Sequence, residues 1–230
     1  MSAEIVSMRQ VDKIYVNGDE KTYALQGMNL SLSQGEFTAL CGPSGSGKTT
    51  ALNLVGILDT PSAGTIVVDG KELGRLTKSE QAAMRKQRIG FIFQAYNLIP
   101  VLSVYENAEF VLMLKGVPPK ERREKVMAIL EIVGMADKAD RRPHQLSGGQ
   151  QQRVAIARAV AGEPALVLAD EPTANVDSRT AGGLLDLMER LNAEHGVTFL
   201  FSTHDPHVME RARRIVSLHD GAVMDDRIKQ

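Results

Sequence analysis

Short apolar runs bounded by Gly, Pro or Asp recur along the chain: FTALC (37–41), IGFIF (89–93), ALVLA (165–169), TFLFS (198–202) and RIVSL (214–218). Runs of this length with such borders predict strands buried on both faces. Two of them lead into amphipathic stretches, TTALNLVGIL after FTALC and RTAGGLLDLMERLNAEHG after ALVLA. That alternation predicts a parallel sheet covered by helices. The N-terminal region differs: EIVSMRQVDKIYV, ALQGMNLSLSQG and GTIVVDG alternate or break at Gly. They predict a smaller antiparallel sheet packed on the parallel core.

From about residue 96 to 160 the pattern turns helical, through VYENAEFVLMLKG, KERREKVMAILEIVGM and the stretch after LSGGQ. A helical lobe is therefore expected, inserted into a core made of residues 1–95 and 161–230. Pro118 and Pro119 stand before the charged turn KERREK, where helices prefer to start. The basic pairs at 122–123 and 141–142 read either as a patch or as a solvated face.

Composition narrows the function classes. The 230 residues carry 27 basic and 28 acidic side chains, which gives no electrostatic argument for nucleic acid. With no Trp and 4% aromatics, a stacking platform for single strands is not expected either. No apolar run approaches the ~18 residues of a spanning helix, and the polar N-terminus lacks a secretory pattern, so a cytoplasmic chain is expected. The single cysteine, Cys41, ends an apolar strand and reads as core filler in a reducing compartment.

Gly42, Pro43, Ser44, Gly45, Ser46, Gly47, Lys48 and Thr49 match G-x-x-x-x-G-K-S/T, between a predicted strand and a predicted helix that Thr50 continues. Glycines at this place let backbone amides close around phosphate oxygens. Lys48 brings a point charge to the terminal phosphates, and the Thr49 hydroxyl suits Mg²⁺. ALVLADEP ends a second strand in Asp170 and Glu171. Beside a phosphate cradle, the first carboxylate is placed to hold the metal and the second to polarise an attacking water. His204 follows TFLFST, and Gln94 ends IGFIF, both at strand C-termini where α/β sheets bind ligands. The imidazole suits a γ-phosphate, and the amide can reach both metal and water.

LSGGQ, Leu146 to Gln150, adds an N-cap serine, Ser147, and two glycines, Gly148 and Gly149, ahead of the helical QQRVAIARAVAG. That is a second anion site in a chain that already has one, and it raises the question of whose phosphate it meets. In this order and spacing, the P-loop, Gln94, LSGGQ, ALVLADEPT and His204 resemble the ATPase subunits of ABC transporters over essentially the whole chain.

The resemblance implies a P-loop (RecA-like) α/β core with an antiparallel β subdomain and an inserted α-helical subdomain. It implies ATP and Mg²⁺ as ligands, hydrolysis of ATP, and a head-to-tail homodimer. ATP then lies between one copy's P-loop and the other's Ser147, Gly148, Gly149 and Gln150. It also assigns Asp177, in ANVDS, to communication across the dimer, and Tyr15, in KIYVNG, to the adenine ring, a residue that could equally be core.

The expected partners are separate integral membrane permease subunits, with Leu98, Ile99, Pro100 and Val101 either contacting them or packing the lobe. GILDTPSAGTIVVDG, FQAYNLIPVLSVYENAEFVLMLKGV and DEPTANVDS further resemble the group serving lipoprotein release and macrolide or peptide export, which extends the expected partners to a periplasmic or outer-membrane assembly. Thr49 stands where that group typically has Ser, GKTT for GKST, which keeps the hydroxyl that Mg²⁺ needs, and Ala174 and Val176 depart from its DEPTGNLDS. The competing classes are a soluble ABC ATPase not coupled to transport, which usually carries a coiled-coil insertion or two ATPase domains, and a non-hydrolysing sensor, against which Glu171 and His204 argue.

Overall fold

The computed structural model describes residues 3–229. Four N-terminal strands, β1 (Glu4–Asn17), β2 (Glu20–Ser33), β4 (Ala63–Val68) and β5 (Lys71–Glu72), form an antiparallel sheet in the order β2-β1-β4-β5. The remaining strands are β3 (Phe37–Cys41), β6 (Ile89–Ile92), β7 (Leu166–Asp170), β8 (Thr198–Thr203), β9 (Arg214–His219) and β10 (Ala222–Ile228). They form a second sheet in the order β10-β9-β3-β8-β7-β6. All its pairings are parallel except β9 with β10.

The five apolar runs of the sequence are the five parallel strands of this sheet. Their alternation decides what packs on each face. Leu40, Leu168 and Leu200 point into a core shared with Val6, Met8 and Leu30 of the antiparallel sheet and with α1 (Lys48–Val55). Ala39, Ala169, Phe199 and Phe201 point the other way, towards α6 (Ser178–His195) and the helical lobe. Phe37 packs 4.6 Å from Phe201, centroid to centroid, in a tilted pair. Cys41 is buried at the end of its strand.

The lobe comprises α3 (Val104–Leu114), α4 (Pro119–Ile132) and α5 (Gly148–Val160), between β6 and β7. Ser103 and Glu106 close a capping box at the start of α3, while Pro118 caps α4 and Pro119 occupies its first turn. Fully buried Asn107 accepts from Ile99 N at 2.8 Å and donates to the carbonyls of Ile99, Leu102 and Ser103, which fixes the segment before α3. Leu98 accordingly packs on the core, whereas Val101 is 69% exposed. Arg122 is spent internally, on Glu109 at 2.7 Å and on Val117 O, rather than joining a surface patch.

Three elements carry no apolar periodicity. Helix α2 (Lys78–Arg88) buries only Met84 and is announced instead by the Thr77–Glu80 capping box. Strand β10 is largely exposed, and α7 (Pro206–Arg211) is a turn and a half capped by Asp205. Among the described residues, no helix is long and apolar enough to cross a membrane.

Because β3, β6, β7 and β8 run parallel, their C-terminal ends share one edge of the sheet. The segments that leave that edge begin with Gly42, Phe93–Gln94, Glu171 and His204. Topology alone gathers four distant motifs.

Candidate functional site

The segment 42–47 wraps the start of α1. Gly47 is the N-cap residue, at φ +100°, and supplies no side-chain cap. The first amides of α1 are therefore left for something outside the helix, at its positive end. At Gly42 and Gly47 the loop also has no room for a side chain. A Cβ on Gly47 would stand 2.5 Å from Ala24 O, and one on Gly42 would stand 2.2 Å from Leu218 O and 2.7 Å from Ser46 Oγ.

Lys48 is buried, and its ammonium donates to Gly42 O at 2.7 Å and Pro43 O at 2.9 Å. Two of its three N–H donors thus brace the loop, which leaves the third for an incoming anion. Ser46 Oγ is buried with no hydrogen-bond partner, which leaves a further donor at the cradle. These features fit a polyphosphate: oriented amides, one fixed cation and a hydroxyl gathered at one loop.

The cradle opens into a cleft of about 610 Å³. Pro43 through Thr50 form its floor, and Gln94, Glu171, Ser202 and His204 form the facing wall. Thr49 Oγ1 donates to Asp170 Oδ1 at 3.3 Å, so the hydroxyl and carboxylate assigned to a metal meet directly. Glu171 is held in the left-handed region, at φ +46°, with its N–H on Ser202 O. A non-glycine residue in that conformation stores strain of a kind found at functional sites. One carboxylate oxygen lies 2.7 Å from His204 Nδ1, and Thr203 Oγ1 donates to the other at 3.3 Å. With Nδ1 engaged on the carboxylate, Nε2 is the ring nitrogen left for a ligand.

Ser147, Gly148, Gly149 and Gln150 do not line this cleft. Ser147 caps α5, accepting from Gln150 N at 3.3 Å while the Gln150 side chain accepts from Ser147 N at 3.0 Å. Asp177 caps α6 in the same way, through Thr180 N at 3.0 Å. The Thr180 contacts hold its carboxyl below the ordinary range, hydroxyl first and backbone second. Glu171 and His204 also wall a shallower depression with Ala174 and Val176, so the catalytic candidates face both the cradle and the loop before Asp177.

Tyr15, on β1, is 41% exposed and lies beside Thr50 of the cradle. Its hydroxyl donates to Asp59 Oδ2 at 2.9 Å, and Lys13 Nζ, itself 2.6 Å from Asp59 Oδ1, sits 4.8 Å from the ring centroid. Thr22, Tyr23 and Ala24 of the neighbouring β2 line the cleft. Thr22 pairs with Tyr15 across the hairpin, the one signal by which the sequence could have indicated that rim. Ser202, missed from the sequence, is recoverable as the strand-end residue two before His204.

The chain matches the ABC transporter family model over residues 25–174. It is 43% identical over 220 residues to an uncharacterized ABC transporter ATP-binding protein of Thermotoga maritima, which covers 96% of this chain and 94% of that protein. It is 44% identical over 225 residues to the macrolide export ATP-binding/permease protein MacB 1/2 of Paracoccus denitrificans, covering 98% of this chain but only 34% of that one. The solved ATP-binding cassette MJ0796, a dimer in a post-hydrolysis state bound to ADP and Pi, superposes with a TM-score of 0.90 at 41% identity, over 98% of this chain and 99% of that one. MJ0796 comes from Methanocaldococcus jannaschii. Likeness in sequence and in fold extends along nearly the full length, well beyond the phosphate loop: the chain belongs to the ABC transporter family, as an ATPase subunit that binds and hydrolyses ATP.

Proposed function

We propose that two copies of this chain close around ATP and that the cycle of closure and opening drives export through a separate membrane permease. The observation that carries this reading is the contrast between a cradle ready for phosphate and a second glycine-flanked helix start, at Ser147, that lies outside the cleft. In the closed pair, each γ-phosphate would meet Lys48 of one copy and Ser147, Gly148 and Gly149 of the other. Gln150 and Asp177 stand on the same face of the contact. Tyr15 turns from Asp59 to the adenine ring.

Glu171 acts as the base that polarises the attacking water, oriented by Thr203 and His204. His204 contacts the γ-phosphate through Nε2, and Gln94 completes the wall. Thr49, Asp170 and Gln94 would hold Mg²⁺, since that ion takes few protein ligands and fills its shell with phosphate and water. When bound, it neutralises charge on the β and γ oxygens.

Residues 96–160 are read as a subdomain that moves against 1–95 and 161–230, with exposed Val101 as its contact to the permease. Export of a lipoprotein, peptide or macrolide-like substrate is favoured by the likeness to a protein whose name joins the cassette to a macrolide-export permease. The subunit then works on the inner face of the cell membrane, with a periplasmic or outer-membrane assembly beyond the permease.

The test is Glu171→Gln. ATP binding should stay within about twofold, while turnover should fall at least about hundredfold, the size of a lost general base. Near wild-type turnover would remove Glu171 from the chemistry. Purification from membranes in detergent should bring a permease with the subunit, and a subunit that purifies alone would argue against coupling to transport.

A further inference from the structure

The segment after Gln94 and the segment after Glu171 are joined by two hydrogen bonds that run in opposite directions. Asn175 Nδ2 donates to Gln94 O at 2.7 Å, and Tyr96 Oη donates to Asn175 O at 3.0 Å. Asn175 in turn sits on a tight turn that starts at Glu171, where Ala174 N donates to Glu171 O at 3.2 Å. The two residues facing each other across the cleft are therefore stapled through their main chains.

Tyr96 and Asn97 both lie in the left-handed region, at φ +60° and +49°. Two non-glycine residues in succession there persist only where the surroundings fix them. Arg158, on α5, does so: its guanidinium donates to Tyr96 O at 2.9 Å and to Asn97 O. Buried Gln152, on the same helix, donates to Pro172 O at 2.6 Å, inside the turn that begins at Glu171. The Tyr96 hydroxyl also stands over the start of α5, 2.7 Å from where a Cβ on Gly148 would be. One helix thus holds both loops, and the staple holds the loops to each other.

We propose that Tyr96 and Asn175 are positioning residues for ATP hydrolysis, setting the distance across the cleft between Gln94 and Glu171 and tying it to the position of α5. Neither side chain lines the cleft, so the staple acts on turnover and leaves nucleotide affinity alone. The idea rests on the assignment of Gln94 and Glu171 to catalysis, and its test uses chains in which both are intact.

Steady-state ATPase activity would be measured over a range of ATP concentrations for Tyr96→Phe, Asn175→Ala and the double variant, with thermal unfolding beside it. Tyr96→Phe keeps the ring over Gly148 and removes only the hydroxyl. Each single change should lower kcat by about three- to tenfold, the size of one net hydrogen bond, with KM for ATP within about twofold. Alanine at 175 leaves the main-chain oxygen that Tyr96 holds, so each single change keeps one of the two bonds and the double variant, which loses both, should fall below either single one. Wild-type kcat in both singles, a rise in KM with kcat unchanged, or a double variant as fast as wild type would overturn the proposal. If Asn175→Ala unfolds at a markedly lower temperature, Asn175→Asp keeps the size without the donor and decides the same question. Failure here with an inactive Glu171→Gln would reject the staple and leave the catalytic assignment standing.

Discussion

Two helices of this chain begin beside glycines, and they begin in opposite ways. At α1, the N-cap is Gly47 in the left-handed region, no side chain satisfies the first amides, and a buried lysine is braced against the loop carbonyls. At α5, the N-cap is Ser147 in extended conformation, and a reciprocal capping box with Gln150 already uses part of the hydrogen-bonding capacity. The first is a strained cradle with a wall of catalytic candidates in front of it. The second is a relaxed helix start outside that cleft. The difference teaches that local anion-binding geometry is not a whole site: what surrounds the helix start decides whether the chain completes it alone.

Several substitutions separate the two starts. Ser147→Arg places a bulky cation at the relaxed one, so turnover should fall at least about hundredfold as the second copy is excluded, while ATP affinity of the single chain stays within about twofold. Lys48→Ala attacks the strained one: a charge-assisted hydrogen bond is lost, and ATP affinity by titration calorimetry should weaken roughly ten- to hundredfold. Equal loss of affinity in both variants would erase the contrast.

Stability should follow the reverse order. Ser147→Ala removes a cap and should cost about 1 kcal/mol in urea unfolding. Lys48→Ala removes no cap. The smallest effect concerns Asp177, whose carboxyl is depressed by its Thr180 bonds. A depressed carboxyl contributes stability above its unfolded value, near 3.8, and that contribution is lost as the pH falls through the folded value. The stability gap between wild type and Asp177→Asn should therefore be present at pH 6 and shrink at strongly acid pH, read from urea midpoints. A gap that widens in acid would assign Asp177 another role.

The sequence made the parallel strands and the cradle legible because both rest on local rules. FTALC and TFLFS are too apolar for any solvent-facing strand, and the glycines of 42–47 have no alternative at their backbone angles or clearances. Strand β10 was not legible, since AVMDDRI carries charge on an edge that water covers. Helix α2 hid for a similar reason, although Thr77 and Glu80 spelled its cap. The tie of Tyr15 to Asp59, across 44 positions, and that of Tyr96 to Asn175, across 79, depend on packing that no local pattern records. Site residues read from motifs thus arrived without the contacts that hold them in place.

Completion of the site by a second copy is read from the mass of the Glu171→Gln protein in solution. With ATP and Mg²⁺ it should sediment as a dimer, and with Ser147→Arg added it should stay a monomer that still binds ATP. A Glu171→Gln protein that remains monomeric while saturated with ATP, or a double variant that dimerises as well, would contradict the account.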